Sequence, residues 1–432
     1  MNSKKGEFEI RDPLYGFIDF TDWEKQIIDH EAFQRLRRIR QLGLTDMVYP
    51  GATHTRFEHS LGVMHLATLM FDAIVKKPEN MKILNEELRY DKSGLKIERQ
   101  LIRLAALLHD IGHAPFSHAS EELMPINNKT GKQYTHENYT TAFIEGPLKS
   151  VIENNQRNKN CRITAKEVAA LIEGNKDVLG ERAFWKVIIS SQLDADRSDY
   201  LLRDSYHIGV KYGIYDHARL LNTLALGTKS KSQVVLGINK DDLHIAESII
   251  IARYRMFSQV YFHKTIRAFD YHLEKAMKRV LIDEKLPSPK ELDEFMKLDD
   301  NVLWASFQKN NTDPNCKTIL NRTDFIKKVY STPETSTKEK EEATTNKEIL
   351  DNNKIWCHLD DKAEKSWYKL DPNEEIMIID EGKPYPLSER SYFIKNIKEI
   401  KQIKIIYTEP KDIEAAENVL KHSVPISQNN RS

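Results

Sequence analysis

Apolar residues recur at helical intervals through most of the first 330 positions of the chain. Thr21 stands three residues before Glu24, which is the spacing of a capping box, and the apolar positions that follow predict a helix beginning near residue 22. A second helix is predicted over residues 57–76. A third, over residues 98–110, is apolar almost throughout, which is typical of a helix buried at the centre of a bundle.

The same periodicity predicts further helices at 165–173, 182–205, 243–280 and 289–308. Strand patterns are rare in this part of the chain, and the best of them is Gln233–Ile238. We therefore expect a mainly α fold whose core is a helical bundle.

The pattern changes after residue 330. Residues 331–353 have almost no large apolar side chain, which predicts a solvated linker. Beyond them, short β-like runs at 375–379 and 403–407 and a helix-like run at 412–422 predict a small mixed region. The predicted division of the chain is a main domain at 1–285, a helical extension of its core at 286–330, a flexible linker at 331–353 and a small α/β C-terminal region at 354–432.

Composition narrows the class of protein. The 432 residues include 65 Lys+Arg and 65 Asp+Glu, and 40% are hydrophobic, so collagen-like, mostly disordered and membrane proteins are excluded. We expect no membrane span and no signal peptide, since no apolar run is long enough for either. Three scattered cysteines indicate neither disulfides nor a cysteine metal site, so the reducing cytoplasm is the expected location. Zero net charge gives no bulk electrostatic argument for nucleic acid.

Five histidines and one acidic run carry the candidate chemistry. The histidines fall in Arg56–His59, in His109–His118 and at residue 136, and the acidic run is Asp194–Asp199. A carboxylate at the end of a buried apolar helix, as in the pair His109-Asp110, is costly unless it is paired or binds a metal. With His59 and one aspartate of the run, this pair would form a shell of two histidines and two aspartates. Such a shell suits Fe, Mn, Zn, Co or Ni, and a metal-bound water is a nucleophile near neutral pH.

The residue pattern alone leaves a simpler interpretation open. Each histidine could be an ordinary polar residue with a hydrogen-bond partner, and Asp110 could only cap the next turn. Spacing also leaves open which aspartate of the acidic run would complete the shell.

The ordered set of histidines and aspartates resembles the HD superfamily of metal-dependent phosphohydrolases, whose motif is H…HD…D. More narrowly, the chain resembles the dNTP triphosphohydrolase branch over about residues 7–330. This resemblance implies an HD-domain helical bundle core with a small mixed α/β C-terminal region. The segments that carry it are Asp12-Pro13, Phe33–Arg37, Gln41–Gly43, Tyr49–Ala52, Arg56–Val63, His109–His118, Thr135–Glu137, Asp194–Asp196, Asp199-Tyr200 and Tyr261–Lys264.

The resemblance implies a ligand set and catalytic groups. The metal ligands would be His59, His109, Asp110 and Asp196, and Mg²⁺ would accompany the substrate triphosphate. The reaction would split a dNTP into deoxynucleoside and inorganic triphosphate, with His118 as the proton donor to the leaving oxygen. Glu121 stands where the family example has aspartate, and it would orient that imidazole. The two residues that match contacts to the α-phosphate are His113 and His136.

Further positions match substrate contacts. Arg56, Arg197 and Arg253 match residues that bind the triphosphate, although Arg197 stands where the animal enzyme has lysine. The positions that match the deoxynucleoside pocket are Gln41, Leu42, Tyr200, Asp204 and Tyr261. A tyrosine under the sugar would leave no room for a 2′ hydroxyl. The tyrosines could instead be plain packing residues, and the arginines solvated surface charges.

A regulatory site is also implied by the resemblance. Asp29, Gln34 and Arg37 match residues that bind an activating guanine nucleotide, dGTP or GTP, between subunits, so a homo-tetramer is expected. Arg11 stands where the animal enzyme has asparagine, which leaves the second activator nucleotide open. The alternative is that the arginines of residues 35–40 form a solvated basic face.

Two other functions compete with this interpretation. One is an HD phosphohydrolase or phosphodiesterase acting on another nucleotide. The other is a nucleic-acid-binding regulatory protein with a non-turning-over HD site, in which the basic run Arg35–Arg40 contacts phosphates. The intact ligand set disfavours the second.

Overall fold

A computed structural model describes residues 7–230, 233–332, 337–363, 375–396 and 403–423. Helices dominate them, as the periodicity predicts. The helices of the first half are α1 (Asp22–Ile28), α2 (Glu31–Gln34), α3 (Arg56–Lys76), α4 (Pro78–Leu88), α5 (Lys92–Leu108), α6 (His136–Glu145), α7 (Lys149–Glu153), α8 (Asn158–Cys161), α9 (Ala165–Glu173), α10 (Lys176–Leu179), α11 (Lys186–Ile189) and α12 (Ala195–Ile208). Those of the second half are α13 (His217–Thr223), α14 (Leu243–Met256), α15 (Lys264–Val280), α16 (Leu292–Met296), α17 (Asp300–Lys309), α18 (Pro314–Asn321), α19 (Thr337–Asn352), α20 (Leu387–Arg390), α21 (Tyr392–Lys395) and α22 (Ile413–Ser423).

Helices α3, α5 and α12 form the centre of the bundle and carry the candidate site. The last turns of α5 are buried throughout, from Leu101 to Leu108, which confirms the prediction for this helix. Helix α3 begins at Arg56, where the backbone amide of Thr55 donates to the Glu58 carboxylate. The predicted capping box at Thr21 and Glu24 is also present.

Three of the predicted helices are each interrupted. The run 289–308 consists of α16 and of α17, which the Asp299 side chain caps. The run 182–205 consists of a 3-10 helix at Gly180–Trp185, then α11, and then α12, which starts afresh because the Asp194 side chain caps it. The run 243–280 is broken by a π-helix at Phe257–Tyr261 and by His263, which caps α15. Periodicity misses these breaks because the apolar spacing continues through them.

Small sheets complete the fold. Strands β1 (Phe8–Asp12) and β2 (Gly16–Phe20) form an antiparallel hairpin. The other two sheets consist of the strands β3 (Leu224–Thr228), β4 (Val234–Asn239), β5 (Lys327–Ser331), β6 (Cys357–Ala363), β7 (Met377–Asp380), β8 (Lys383–Pro386) and β9 (Ile403–Thr408). The strand order is β3-β4-β7-β8 in the second sheet and β5-β9-β6 in the third.

The prediction of a flexible linker at 331–353 is wrong for most of that segment, which is helical. Residues 337–352 form α19, whose Ala343 and Leu350 are buried against the C-terminal strands and α22. The segment is polar but rich in helix-forming Glu and Lys, and the two buried apolar side chains, two turns apart, dock it against the rest of the fold. Residues 333–336 of the predicted linker, and 364–374, 397–402 and 424–432 of the C-terminal region, lie outside the described residues.

Among the described residues, none of the helices combines the length and the apolar character that crossing a membrane requires.

Candidate metal and active site

The four predicted metal ligands come together from three helices. His59 lies in the first turn of α3, His109 and Asp110 follow the end of α5, and Asp196 lies in the first turn of α12. The ligand atoms of His59, His109 and Asp110 all lie within 4.8 Å of one another. The structure therefore places His59, His109 and Asp110 in one buried cluster, with the partly exposed Asp196 carboxylate beside the two histidines.

The distances in this cluster fit a shared cation. His59 Nε2 lies 3.5 Å from Asp110 Oδ2 and 3.1 Å from Asp196 Oδ1. His109 Nε2 lies 3.4 Å from Asp110 Oδ1 and 3.8 Å from Asp196 Oδ1. Ligand atoms about 2.1 Å from one ion lie about 3–4 Å from each other, so these separations suit a single first-row metal.

The two imidazoles present the same nitrogen to the cluster. His59 Nδ1 is bonded to Asp199 Oδ2 at 2.8 Å, and His109 Nδ1 donates to the Ala106 carbonyl at 2.9 Å. Both Nε2 atoms are buried and have no hydrogen-bond partner. Two orphaned imidazole nitrogens beside two carboxylates are the donor set of a divalent transition metal, so the residues fit such an ion.

Asp194 and Asp196 have separate places. Asp194 turns away from the histidines and accepts the backbone amides of Ser191 at 2.6 Å and Arg197 at 2.7 Å, so it caps α12. Burial raises the pKa of Asp194 to about 6. Asp196 faces His59 and His109, and they hold the pKa of its carboxyl well below the ordinary value, against the effect of burial.

The electrostatic environment of the cluster stabilises the charged forms of His59 and Asp110. Burial by itself disfavours a charged imidazole, yet the neighbouring carboxylates of Asp196, Asp199 and Asp110 raise the pKa of His59 to about 10. Burial likewise opposes the Asp110 carboxylate, but His109 and Arg56 lower its pKa well below the usual range. The site thus favours a cation between its carboxylates, and protons and metal compete for the same nitrogens.

A second group of side chains adjoins the metal cluster. His113 stacks on His136 with ring centroids 4.0 Å apart, and its Nε2 lies 3.4 Å from Asp110 Oδ1. Glu121 Oε1 lies 2.9 Å from His118 Nδ1 and 2.7 Å from His136 Nδ1. Burial opposes the charge of Glu121, but these two imidazoles lower its pKa far below the ordinary value. The four predicted catalytic residues thus form one group.

Close backbone packing sets the position of this group. A Cβ at Gly112 would lie 2.2 Å from the His136 carbonyl oxygen and 2.3 Å from the Thr140 nitrogen, so only glycine lets α6 approach α5. The segment leading to His118 passes through Phe116 and Ser117, both with φ of 58°. These positive angles are costly for residues with side chains and are typical of functional turns.

Arg56 links the two groups. Its Nη1 contacts Asp110 Oδ2, and its Nε donates to Ser117 Oγ at 2.7 Å. The Arg56 guanidinium thus joins the metal cluster to the segment that carries His118.

The predicted sugar-binding residues surround Asp204. Tyr261 Oη donates to Asp204 Oδ2 at 2.6 Å, and Tyr200 packs edge-on against Tyr261 at 6.2 Å. His54 Nε2 lies 2.7 Å from Asp204 Oδ1, and the His54 carbonyl accepts the amide of Gln41 at 3.0 Å. Sequence reasoning missed His54, although it lies between Tyr49–Ala52 and Arg56–Val63, two of the segments that carry the family resemblance.

The remaining predicted substrate-binding residues each contact a different part of the protein. Arg197 pairs with Asp194, Arg253 is buried with Nη1 donating to Gln192 Oε1 at 2.6 Å, and Leu42 is half-buried in the turn after Gln41.

The predicted activator residues lie together at the surface. Arg37 Nε donates to Gln34 Oε1 at 2.9 Å, and Gln34 Nε2 donates to the Ile28 carbonyl at 2.7 Å, next to Asp29 at the end of α1. Asp29 pairs with Lys25 and remains largely exposed.

Comparison with known proteins agrees with this geometry. The HD domain family model matches residues 56–201, and the HD associated region matches residues 215–431. The uncharacterized protein YwfO of Bacillus subtilis is 33% identical over 75% of this chain and 72% of its own length. The crystal structure of a hypothetical protein from Aquifex aeolicus is similar with a TM-score of 0.77 at 30% identity, over 96% of this chain and 99% of that one.

Some relatives bear the name of an enzyme. The deoxynucleoside triphosphate triphosphohydrolase SAMHD1 homolog of Dictyostelium discoideum is 31% identical over 70% of this chain, which corresponds to 55% of that protein. The matched families, these relatives and the assembled H…HD…D cluster agree, and the chain belongs to the HD superfamily of phosphohydrolases, in the dNTPase-like branch that carries an HD associated region.

Proposed function

We propose that this chain is a metal-dependent dNTP triphosphohydrolase, which converts a dNTP and water to a deoxynucleoside and inorganic triphosphate. The observation that supports this most is the face of α12. Asp196, Tyr200 and Asp204 follow one another at four-residue spacing, so a metal ligand and two sugar-pocket side chains share one side of one helix. A nucleotide bound along it would have its α-phosphate near the metal and its deoxyribose near Asp204.

The chemistry follows from the two adjoining groups. A divalent metal held by His59, His109, Asp110 and Asp196 would supply a water of lowered pKa. The water oxygen bonds to the α-phosphorus, the bond from that phosphorus to the 5′ oxygen breaks, and the 5′ oxygen takes a proton. His118, held by Glu121, is half-exposed and faces the same side as His113, so it is the proposed proton donor.

The rest of the pocket would choose the substrate. His113, His136 and Arg56 would balance the charge of the α-phosphate, and Arg197 and Arg253 would reach the outer phosphates with Mg²⁺. Tyr200 and Tyr261 would pack against the deoxyribose, with Gln41, Leu42 and Asp204 at its 3′ side.

We further propose activation by dGTP or GTP at Asp29, Gln34 and Arg37 in a homo-tetramer. The Asp29 carboxylate is exposed and could accept the N1 and N2 hydrogens of guanine. These three residues lie near one another at the surface, and none of them belongs to the proposed metal-ligand set.

The competing nucleic-acid function finds little support in the basic run. Arg35 is buried, with Nη1 donating to the His113 carbonyl at 2.9 Å. Arg38 pairs with Asp299, and Arg40 pairs with Asp46. These guanidinium groups are engaged within the fold, so we do not favour binding of nucleic acid.

Product analysis tests the proposal. The protein is incubated with Mn²⁺ and Mg²⁺ and each dNTP, with and without dGTP or GTP, and the products are separated by chromatography. Deoxynucleoside plus inorganic triphosphate is the expected result, with Asp110→Ala as the inactive control. Mono- or diphosphate products would transfer the assignment to another HD phosphohydrolase activity, and turnover by Asp110→Ala would exclude the metal cluster as its origin.

A further inference from the structure

We propose that Asp199 is a positioning residue of the metal centre, which fixes the ring of His59 so that Nε2 faces the metal. This inference rests on the metal-binding part of the proposed function and not on the identity of the substrate. Asp199 lies in α12, one turn after Asp196, and its side chain is fully buried.

The Asp199 carboxylate receives hydrogen bonds from three side chains. Its Oδ2 accepts from His59 Nδ1 at 2.8 Å and from Arg203 Nε at 2.8 Å. Its Oδ1 accepts from Arg203 Nη2 at 2.9 Å and from Tyr15 Oη at 2.9 Å. A buried carboxylate in a bidentate ion pair with a guanidinium is ionised and can only accept hydrogen bonds.

This contact determines the tautomer of His59. Because Asp199 can only accept, the hydrogen of the neutral imidazole lies on Nδ1, and the lone pair lies on Nε2. The buried Nε2 atom has no hydrogen-bond partner and lies 3.1 Å from Asp196 and 3.5 Å from Asp110. Without Asp199, the ring could rotate or carry its hydrogen on Nε2, and either change would remove a metal ligand.

An outer layer holds Asp199 in place. Arg203 Nη1 donates to Asp12 Oδ2 at 2.9 Å, and Asp12 Oδ1 accepts the amides of the hairpin turn, from Leu14 at 2.9 Å and from Tyr15 at 3.0 Å. The N-terminal hairpin thus reaches the metal centre through two side chains.

The adjoining face of α3 keeps room for this pair. A Cβ at Gly62 would lie 2.0 Å from Asp199 Oδ1 and 2.4 Å from Arg203 Nη2. Glycine in the middle of a helix is destabilising. At this position it lets the ion pair of Asp199 and Arg203 pack closely against α3.

The test compares Asp199→Asn with a matched control, Asp360→Asn. Asp360 is also buried and is also held in two-pronged fashion, by Arg267 at 2.8 Å on both oxygens, but it lies in β6 away from the metal ligands. The metal-free full chain is titrated with Mn²⁺, and bound metal is measured by equilibrium dialysis and mass spectrometry. We expect Mn²⁺ affinity to fall about 10–100-fold for Asp199→Asn. It should stay at the wild-type value for Asp360→Asn, whatever that variant loses in thermal stability.

A milder variant covers the case in which Asp199→Asn does not fold. Tyr15→Phe removes one hydrogen bond to Asp199 and keeps every charge, so Mn²⁺ affinity should fall by roughly threefold. Wild-type affinity in folded Asp199→Asn, or in Tyr15→Phe if only that variant folds, would overturn the proposal, as would an equal loss in Asp360→Asn. A wild-type chain that binds Mn²⁺ but leaves dNTPs intact would defeat the proposed substrate while leaving this inference standing.

Discussion

Replacing Asp194 and Asp196 one at a time by alanine should separate helix capping from metal binding. The two residues are of the same type and lie two positions apart at the start of α12. Asp194 accepts two backbone amides and pairs with Arg197, whereas Asp196 faces His59 Nε2 at 3.1 Å. Each substitution therefore removes one function and leaves the other in place.

Asp194→Ala should mainly lower the stability of the fold, and Asp196→Ala should mainly lower the affinity for metal. Loss of an N-cap costs about 0.5–2 kcal/mol of stability. Because burial raises the pKa of Asp194 to about 6, its carboxylate is a less favourable cap at neutral pH than an exposed one, so roughly 1 kcal/mol is expected for Asp194→Ala. Loss of the Asp196 ligand should weaken metal binding by more than about 100-fold, or about 2.8 kcal/mol, because changes one shell further out already cost up to that much. Without metal, Asp196→Ala should also lower stability, because the carboxylate that His59 and His109 hold in its ionised form is lost.

Two measurements on each variant decide the matter. Mn²⁺ binding is measured by dialysis of the metal-free protein, and the thermal midpoint is measured in EDTA. We expect Asp194→Ala to keep the metal and lose several degrees, and Asp196→Ala to lose the metal, so metal binding distinguishes the two variants. The reverse pattern would show that Asp194 is the ligand, and equal metal loss in both would refute the separation.

Three further outcomes follow from the contacts described. Glu121→Gln should lower kcat by about 100-fold with metal content unchanged, because the carboxylate that holds two imidazoles is lost; unchanged turnover in the product assay would remove Glu121 from catalysis. Burial opposes the charge of Glu24, but Arg103 lowers its pKa to about 2 from about 4.5, so the ionised form stabilises the fold by about 3 kcal/mol above pH 4.5. That stability is lost as pH falls from 4.5 through 2. Glu24→Gln should remove this contribution from the pH dependence of denaturation curves measured across the range, while the contributions of Asp110, Asp196 and Asp199 remain. Tyr261→Phe should raise KM for dNTPs about tenfold through loss of its bond to Asp204, and an unchanged KM would place the sugar elsewhere.

The local sequence pattern was sufficient to predict the helices that support the site. The apolar run that forms α5 and the capping signal at Thr21 depend on neighbours in sequence, and both predictions are confirmed. The gathering of His59, His109-Asp110 and Asp196 followed from the family resemblance, because spacing alone could not choose between Asp194 and Asp196. The helix cap that distinguishes these two aspartates becomes visible only when the start of α12 is known.

Contacts between distant segments were not accessible from the sequence. His54 meets Asp204, and Asp199 meets Tyr15, across more than a hundred residues, and no local pattern encodes either pair. The helix α19 was missed for a different reason. Its polar composition resembles a linker, and the buried positions that dock it, Ala343 and Leu350, have meaning only against strands that come later in the chain.

The order of strands in the two larger sheets constrains how the chain can fold. Gly237 in β4 pairs with Met377 in β7, and Lys327 in β5 pairs with Thr408 in β9. Such pairs close large loops, so they form slowly and only after the C-terminal third has left the ribosome. The helices that carry the metal ligands are complete much earlier. A nascent chain would therefore assemble its metal cluster while β4 and β5 still lack these partners, and shielding of those open edges becomes a requirement during synthesis.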